Sequence, residues 1–413
     1  MLFWSKAAEV FAGASQTRVR TPTPRPRSGR SVGLLGNFGI WNLCIITGGR
    51  AFQPALVHPE AGMNRTARLC SEVSYIEPDA SQTQPRRPAC CEGGLGYACV
   101  LTKHSHIPVL LVEILDRLAP QPGEVYADCT AGLGGHAAAV GARLAPGGRV
   151  VLNDADAGNL ERAAAWVAAQ APGVEVRPIH GNFASLPRRL AAEGGQADAV
   201  LADLGFASNQ MDDPERGFAF SRDGPLDMRL DPSAPTTAAD LVMTLPEDEL
   251  VRILREYGEE KAARPIARKI IAARQEGPIA TTAQLAAIVR RVVRTGGGID
   301  PATRTFQALR IAVNDELGSL EGLLAAVQRG ARMHGEGWLA AGARVAIVSF
   351  HSLEDRMVKR AFGALVRDGH AEPIGRQPTM ASEAEISSNP RSRSAKLRAI
   401  RLIETGIAQP PGL

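Results

Sequence analysis

A chain of 413 residues is too long for one compact core, so its length predicts one large domain with an appended or inserted second one. With 45% hydrophobic and 22% charged residues, the composition excludes collagen-like and wholly disordered proteins. Residues 1–103 contain 12 Lys and Arg against 6 Asp and Glu, which leaves a net charge of −2 for residues 104–413. The net charge of this part gives no sign of nucleic-acid binding, so only local clusters of cationic residues could indicate it.

Residues 1–103 have no sustained helical or strand periodicity and contain proline-rich runs at 21–27 and 84–88. We expect a disordered extension, or a translated leader without selected structure. The apolar patch at 32–46 is shorter than the roughly 20 residues that span a bilayer, so no membrane anchor is expected. The Arg- and Ser-containing start at 5–30 also fits a mitochondrial transit peptide, as the alternative to a cytoplasmic protein.

The six cysteines predict neither disulfides nor a metal site. Five of them fall within residues 1–103, and their spacings do not repeat a paired Cys-x2-Cys zinc pattern. Cys129 stands in a glycine motif at the end of a predicted strand, where a reduced thiol is the better interpretation.

From Ile107 onward, short apolar runs alternate with amphipathic helical stretches, which is typical of a parallel α/β sheet. The predicted fold class is α/β, a doubly wound and mostly parallel sheet with an inserted all-α domain. A period-two segment at 397–404 is predicted to be an antiparallel edge strand. The predicted parallel strands are Val125–Asp128, Arg149–Asn153, Glu175–Ile179, Ala199–Asp203 and Arg344–Ser349.

About 140 residues separate the last two of these strands, several times what one βαβ crossover needs. They contain three stretches of helical periodicity, which predict an inserted helical domain, and a long helix at 302–326 returns to the sheet. The three stretches are 246–257, 260–275 and 282–293. The predicted domains are an extension at 1–103, the sheet domain at 104–213 and 301–413, and a helical substrate-recognition domain at 214–300.

A glycine-rich segment, DCTAGLGGH at 128–136, follows the first predicted strand and opens a helix. In a doubly wound sheet this turn lies at the carboxyl end of the strand, beside the point where ligands bind. Asp154 ends the second strand, where an acidic side chain accepts hydrogen bonds from both hydroxyls of a ribose. Dinucleotide enzymes and S-adenosylmethionine-dependent methyltransferases share this combination, and a glycine turn needed only for tight packing is a further alternative.

Two details favour a methyltransferase. The glycines do not spell G-x-G-x-x-G, and Asp128 precedes them, where a carboxylate suits an ammonium or sulfonium and repels a pyrophosphate. The third strand leads to Phe183, whose ring is placed to stack on an adenine or to fill the core. The fourth strand ends in Asp203, our candidate to accept a hydrogen bond from the nitrogen that is methylated, although capping of the next turn is an equal alternative.

Six further sequence blocks make one resemblance specific. The chain resembles the 16S rRNA cytosine-N4 methyltransferase family, also called the MraW family, in order and spacing from residue 106 to about residue 404. The blocks are QMDDPERGFAF at 210–220, RDGPLDMR at 222–229, YGEE at 257–260, ATRTFQALR at 302–310, SFHSLEDR at 349–356 and NPRSRSAKLR at 389–398.

The resemblance implies S-adenosylmethionine-dependent methylation of the N4 amino group of cytidine 1402 in 16S rRNA, with the small ribosomal subunit as partner. We expect no metal and no membrane partner. Asp203 is in addition the candidate catalytic residue, and the identity of the proton acceptor stays open. The cofactor contacts that the resemblance implies are Gly134, Gly135, His136, Asp154, Phe183, Asp203 and Gln210.

Three cationic clusters are candidates for binding RNA phosphates, and a solvated helix face is the alternative for each. Asp227, Arg222 and His351 are candidates to read a flipped cytosine or to make local structural bonds. Two other functions stay open, a methyltransferase of this fold acting on another RNA or DNA base, and a ribosome-assembly module with secondary activity. The three cationic clusters that are candidates for binding RNA phosphates are Arg264, Arg268, Lys269 and Arg274, then Arg290, Arg291 and Arg294, then Arg391, Arg393, Lys396 and Arg398.

Overall fold

The computed structural model describes residues 107–293 and 298–404. The predictions for residues 1–103, with their apolar patch and transit peptide, lie outside the described residues, as does Arg294. Within the described ranges, no helix is both long and apolar enough to cross a membrane.

The described chain is built around an eight-stranded mixed sheet. The strand-end motifs singled out in the sequence follow the carboxyl ends of its strands. Its order is β3-β2-β1-β4-β5-β8-β6, and β7 also pairs with β8. Strands β1 to β5 are parallel to one another, and β5 pairs with β8 in the antiparallel direction, so the predicted doubly wound, mostly parallel sheet is confirmed. The strands are β1 (Val125–Asp128), β2 (Arg149–Asp154), β3 (Glu175–His180), β4 (Ala197–Asp203), β5 (Leu339–Ser349), β6 (Ala371–Pro373), β7 (Thr379–Met380) and β8 (Lys396–Leu402).

The predicted antiparallel strand is present as β8, but its predicted place at the edge of the sheet is wrong. β8 pairs with β5 on one side and with the short strands β6 and β7 on the other. β6 has three residues and β7 has two, which is too short for a period of two to be visible in the sequence.

Helices cover both faces of the sheet. Successive strand residues point to opposite faces, so Tyr126 and Val150 belong to one core while Ala127 and Val151 belong to another. The first core includes residues of α1, α2 and α3, and the second includes residues of α4, α11 and α12. The helices are α1 (Leu111–Leu118), α2 (Gly135–Leu144), α3 (Ala157–Gln170), α4 (Leu186–Ala192), α5 (Ser208–Asp212), α6 (Ala238–Thr244), α7 (Glu247–Glu256), α8 (Ala263–Glu276), α9 (Thr282–Val292), α10 (Ala302–Asn314), α11 (Glu316–Arg332), α12 (Ser352–Arg367) and α13 (Glu383–Ser388).

A third core lies in the helical segment between β4 and β5 and is formed by α6 to α10. The three helical stretches predicted within 246–293 are present as α7, α8 and α9. The division of the chain at residues 214 and 300 stays a prediction. The third core also contains Phe306 and Leu309 of α10, which lie beyond residue 300.

The single helix predicted at 302–326 is wrong, because the structure has two helices, α10 and α11, that meet at Asp315. Asp315 has φ 47° and ψ 44°, a left-handed conformation that ends one right-handed helix before the next begins. The carboxamide of Asn314 fixes the break, since its Oδ1 accepts from the backbone N–H of Leu230 at 2.7 Å and its Nδ2 donates to the carbonyl of Met228 at 2.8 Å. The chain therefore passes from the helical core to a sheet core at this residue.

Candidate functional site

A cavity of about 420 Å³ opens beside the carboxyl ends of β1, β2, β4 and β5, within the usual size range of a small-molecule site. Among the described residues, six of the seven predicted cofactor contacts line it, and Gly134 does not. The six are Gly135, His136, Asp154, Phe183, Asp203 and Gln210.

Gly134 shapes the glycine turn from behind the cavity wall. It is the N-cap residue of α2 with φ 81°, a left-handed conformation that suits glycine. A Cβ atom at this position would lie 3.0 Å from Cα of Ala163 on α3. The residue therefore allows α2 and α3 to approach each other closely, and its contact with a cofactor stays a prediction.

Asp154 faces the cavity from the end of β2, and two backbone groups fix its carboxylate. Gly132 N–H donates to Oδ2 at 2.7 Å, and Asp156 N–H donates to Oδ1 at 2.8 Å. Burial raises the pKa of Asp154 to about 6, although both hydrogen bonds favour the ionised form. Each carboxylate oxygen keeps a further lone pair for a ligand hydroxyl.

Asp128 does not line the cavity as the structure describes it, and its attraction for a cationic ligand stays a prediction. Its side chain is buried, and the Tyr126 hydroxyl donates to Oδ2 at 2.9 Å while Thr130 N–H donates to Oδ1 at 3.1 Å. Burial raises its pKa to about 7. Asp128 fixes the start of the glycine turn and places a titratable group behind the cavity wall.

Asp203 lies at the end of β4, and its Oδ1 is buried without a hydrogen-bond partner among the described residues. Its Oδ2 is 3.7 Å from Nδ1 of His136, whose Nε2 lies 2.9 Å from the carbonyl of Val109. Burial, reinforced by the nearby charges of Asp128 and Glu354, raises the pKa of Asp203 well above its usual range. Turn capping does not account for this oxygen, which is therefore available to a ligand.

Gln210 and Phe183 form parts of the wall with different contacts. Oε1 of Gln210 accepts from Ala207 N–H at 2.8 Å, and its Nε2 donates to Asp156 Oδ2 at 3.0 Å. The amide is therefore already bound to the protein. The half-buried ring of Phe183 packs against a sheet core and also lines the cavity, so stacking on a ligand and core filling are compatible there.

The other end of the cavity is aromatic. The rings of Phe206 and Phe218 are stacked with centroids 5.2 Å apart, and those of Phe220 and Phe306 are tilted at 4.6 Å. All four rings line the cavity, between the end of β4 and the helical segment. A planar ligand can stack on such a surface.

The sequence analysis did not identify most of the charged residues at the aromatic end of the cavity. Arg310, Glu316 and Glu354 line the cavity together with His351, the one of these four that was a candidate. His351 Nε2 lies 3.1 Å from Glu354 Oε1, while Glu354 Oε2 accepts from Phe350 N–H at 2.9 Å. Three of them stand within matched blocks, Arg310 in ATRTFQALR and His351 and Glu354 in SFHSLEDR, but no local pattern separates them from their neighbours.

Arg222 and Asp227 do not line the cavity as the structure describes it. Asp227 binds Arg229 through Oδ2 at 2.6 Å, and this local bond supports its structural interpretation. Arg222 is exposed.

Carboxylates within the chain neutralise most of the predicted RNA-binding residues. Arg264 and Arg268 both pair with Glu247, and Arg290 pairs with Asp300. Arg391 pairs with Asp212, both Lys396 and Arg398 pair with Asp355, and Arg274 donates to the carbonyls of Val242 and Leu245. The members of the clusters that are exposed and outside these contacts are Lys269, Arg291 and Arg393.

Comparisons with known proteins agree on one family. A sequence profile of the MraW methylase family matches residues 103–403. A relative from Symbiobacterium thermophilum, named ribosomal RNA small subunit methyltransferase H, is 44% identical over 322 residues, which cover 73% of this chain and 98% of that protein. One of the same name from Geotalea daltonii is 45% identical over 317 residues, covering 72% and 98%.

Similarity to solved structures is much weaker. A methyltransferase homologue from Pyrococcus horikoshii is 12% identical with a TM-score of 0.33, over 71% of this chain and 66% of that one. A likeness at this level adds nothing to the sequence match.

Replacement of Gly134 by alanine is expected to destabilise the protein more than the same change at Gly147. Both glycines are left-handed, with φ 81° and 82°, so alanine costs about 1 kcal/mol at either position. Only at Gly134 does the new Cβ meet a neighbouring helix, which adds about 1–2 kcal/mol of overpacking. Urea unfolding of Gly134→Ala and Gly147→Ala measures the difference, and equal losses would show that α3 yields without cost.

Proposed function

The chain belongs to the MraW methylase family, and we propose that its cavity is where a methyl group passes to the N4 amino nitrogen of cytidine 1402 in the 16S rRNA of the small ribosomal subunit. The protein is a methyltransferase of the class I, Rossmann-like fold and uses S-adenosylmethionine. The proposal is supported by the buried Oδ1 of Asp203, which has no partner among the described residues. Asp203 lines the same cavity as the glycine turn and the aromatic residues.

The residues at the glycine-turn end fit the cofactor. The Asp154 carboxylate is held by two backbone N–H groups with lone pairs left for ribose hydroxyls, and Phe183 offers a ring face for the adenine. Gly135 and His136 line the turn beside them. S-adenosylmethionine supplies an electrophilic methyl group on a positively charged sulfur.

Asp203 is suited to work on the amino group that receives the methyl. The lone pair of a cytosine N4 amine is delocalised into the ring, so the protein must orient the nitrogen and accept a hydrogen bond from it as charge develops. Without a ligand, burial favours the protonated form of Asp203, whereas a cation nearby favours the carboxylate. The ionised Oδ1 then accepts the proton that N4 loses.

His136 extends this arrangement behind Asp203. Its Nε2 faces the carbonyl of Val109, an acceptor, and this places a proton on that nitrogen. Its Nδ1 points toward Asp203 Oδ2 at 3.7 Å. With its proton on Nε2, the ring offers a lone pair at Nδ1, which suits the protonated carboxyl of Asp203 in the ligand-free site.

Small ribosomal subunits from a strain that lacks the modification are expected to accept labelled methyl groups from this protein. Nucleoside mass spectrometry should find N4-methylcytidine, and mapping should place it at position 1402. Subunits from the unmodified parent strain, which already carry the methyl group, serve as the control and should stay unlabelled. Label on a different nucleoside would keep the cofactor but overturn the proposed target.

Replacement of Asp203 by asparagine is expected to lower kcat by at least about 100-fold, because the amide cannot take up the N4 proton. The affinity for S-adenosylhomocysteine, which lacks the sulfonium charge, should change by less than about tenfold in calorimetry. Asp198→Asn makes the same change at the other end of β4, where Asp198 accepts from Val125 N–H, and should keep kcat. A fully active Asp203→Asn protein would exclude Asp203 as the acceptor.

Binding of S-adenosylhomocysteine is expected to weaken as the pH falls through 6. Asp154 has a pKa of about 6, and only its ionised form accepts from both ribose hydroxyls. Affinity should therefore be constant above this pKa and fall by up to about tenfold per pH unit below it. Calorimetry of the wild type between pH 5 and 8 measures the step, which Asp154→Asn should abolish while binding more weakly at pH 7. A wild-type affinity without any step would contradict the assignment of Asp154 to the ribose.

A further inference from the structure

We infer that Arg310 and Glu316 determine base specificity by reading the pairing edge of the cytosine that enters the aromatic end of the cavity. The inference rests on the proposed function and adds to it the residues that distinguish cytosine from uracil.

The two side chains form a bidentate pair across the break between α10 and α11. Nε and Nη2 of Arg310 donate to the two oxygens of Glu316, each at 2.8 Å. Both side chains line the cavity, and only 16% and 10% of their surfaces are exposed. Burial of such a pair costs about as much as the attraction returns, so fold stability alone does not explain its place in a cavity wall.

The pair keeps groups available for a ligand. A guanidinium has five N–H donors, and Glu316 takes two of those of Arg310. A carboxylate has about four acceptor sites, so each Glu316 oxygen keeps one beside the bond to Arg310. A fixed donor therefore lies next to a fixed acceptor.

Aromatic rings surround this edge. The Arg310 guanidinium lies 4.9 Å over the ring of Phe206, which is itself stacked on Phe218. Enzymes that modify a base stack it on aromatic side chains and read its edge by hydrogen bonds. The rings, the Arg310–Glu316 pair and Asp203 all line the same cavity, so both kinds of contact are available there.

The order of donor and acceptor matches cytosine and opposes uracil. Cytosine presents the N4 amine, a donor, beside the acceptors N3 and O2. Uracil presents O4, an acceptor, beside the donor N3–H. Arginine only donates and an ionised carboxylate only accepts, so Arg310 suits N3, the acceptor next to the amine, and Glu316 suits the N4 hydrogen that Asp203 does not take.

A metal ion is the competing occupant of this region. Atoms of Glu316, His351 and Glu354 lie within 4.8 Å of one another, as metal ligands do. A cation there would lie beside the guanidinium that is bound to both oxygens of Glu316, and the charge of Arg310 opposes its entry. The contacts of this region therefore favour a base edge over an ion.

The test compares two bases with and without the pair. Small subunits are reconstituted with cytidine or 3-deazacytidine at position 1402, since 3-deazacytidine keeps the amine and lacks the N3 acceptor. The wild type should methylate 3-deazacytidine with a kcat/KM about 10- to 100-fold lower, because Arg310 loses its partner. In the double variant Arg310→Met with Glu316→Leu, which removes both charges of the pair, the ratio of kcat/KM for cytidine to that for 3-deazacytidine should fall to about 1.

The ratio separates base reading from a structural role. A merely structural pair would lower kcat/KM for both bases and leave the wild-type ratio intact in the variant. Arg356→Met removes an exposed pair with Glu259 outside the cavity and should keep that ratio. If the double variant does not fold, Arg310→Lys keeps the charge but not the fork, and its ratio should also fall below that of the wild type.

The outcomes distinguish the two proposals. A wild-type ratio near 1, or a high ratio that persists in the variants, would overturn the base-reading role while N4-methylcytidine still forms. A wild-type protein that methylates no cytidine would overturn the proposed function and this inference with it.

Discussion

The carboxylate of Asp156 joins the cofactor end of the site to the helical segment. Its Oδ1 accepts from Gly158 and Asn159 N–H at the start of α3, and its Oδ2 accepts from Gln210 and, at 2.7 Å, from Arg216. Burial alone would raise its pKa, but the bonds from Arg216 and Gln210 outweigh it and hold the pKa low. The aromatic end keeps its place through this one ionised group, because Arg216 also binds the carbonyls of residues 229 and 230.

The other carboxylates at the strand ends differ from Asp156 in lacking a cationic partner. Burial raises the pKa values of Asp128, Asp154 and Asp203, which end β1, β2 and β4. All three pKa values lie above the usual range of an aspartate, and Asp154 and Asp203 line the cavity proposed for a positively charged cofactor. Binding of that cofactor and ionisation of these acids are therefore linked, and each favours the other.

The sequence was sufficient for the parallel strands and for most of the cofactor end, because strand periodicity and the glycine turn are local patterns. The sequence did not predict features that depend on particular side-chain contacts, most of them between residues distant in the chain. The break at Asp315 depends on Asn314 bonding to residues 228 and 230, and the orientation of Asp128 depends on the Tyr126 hydroxyl. The carboxylates that pair with the cationic clusters are mostly distant in the chain, as Asp212 is from Arg391, so the sequence does not show these ion pairs.

Cys129, which begins the glycine turn, shows what this burial means for chemical reactivity. The thiol is fully buried, and burial together with the charge of Asp128 raises its pKa. Only a thiolate attacks electrophiles, so Cys129 stays inert although it lines the cavity. A covalent warhead attached to a cofactor analogue would therefore react slowly with this thiol.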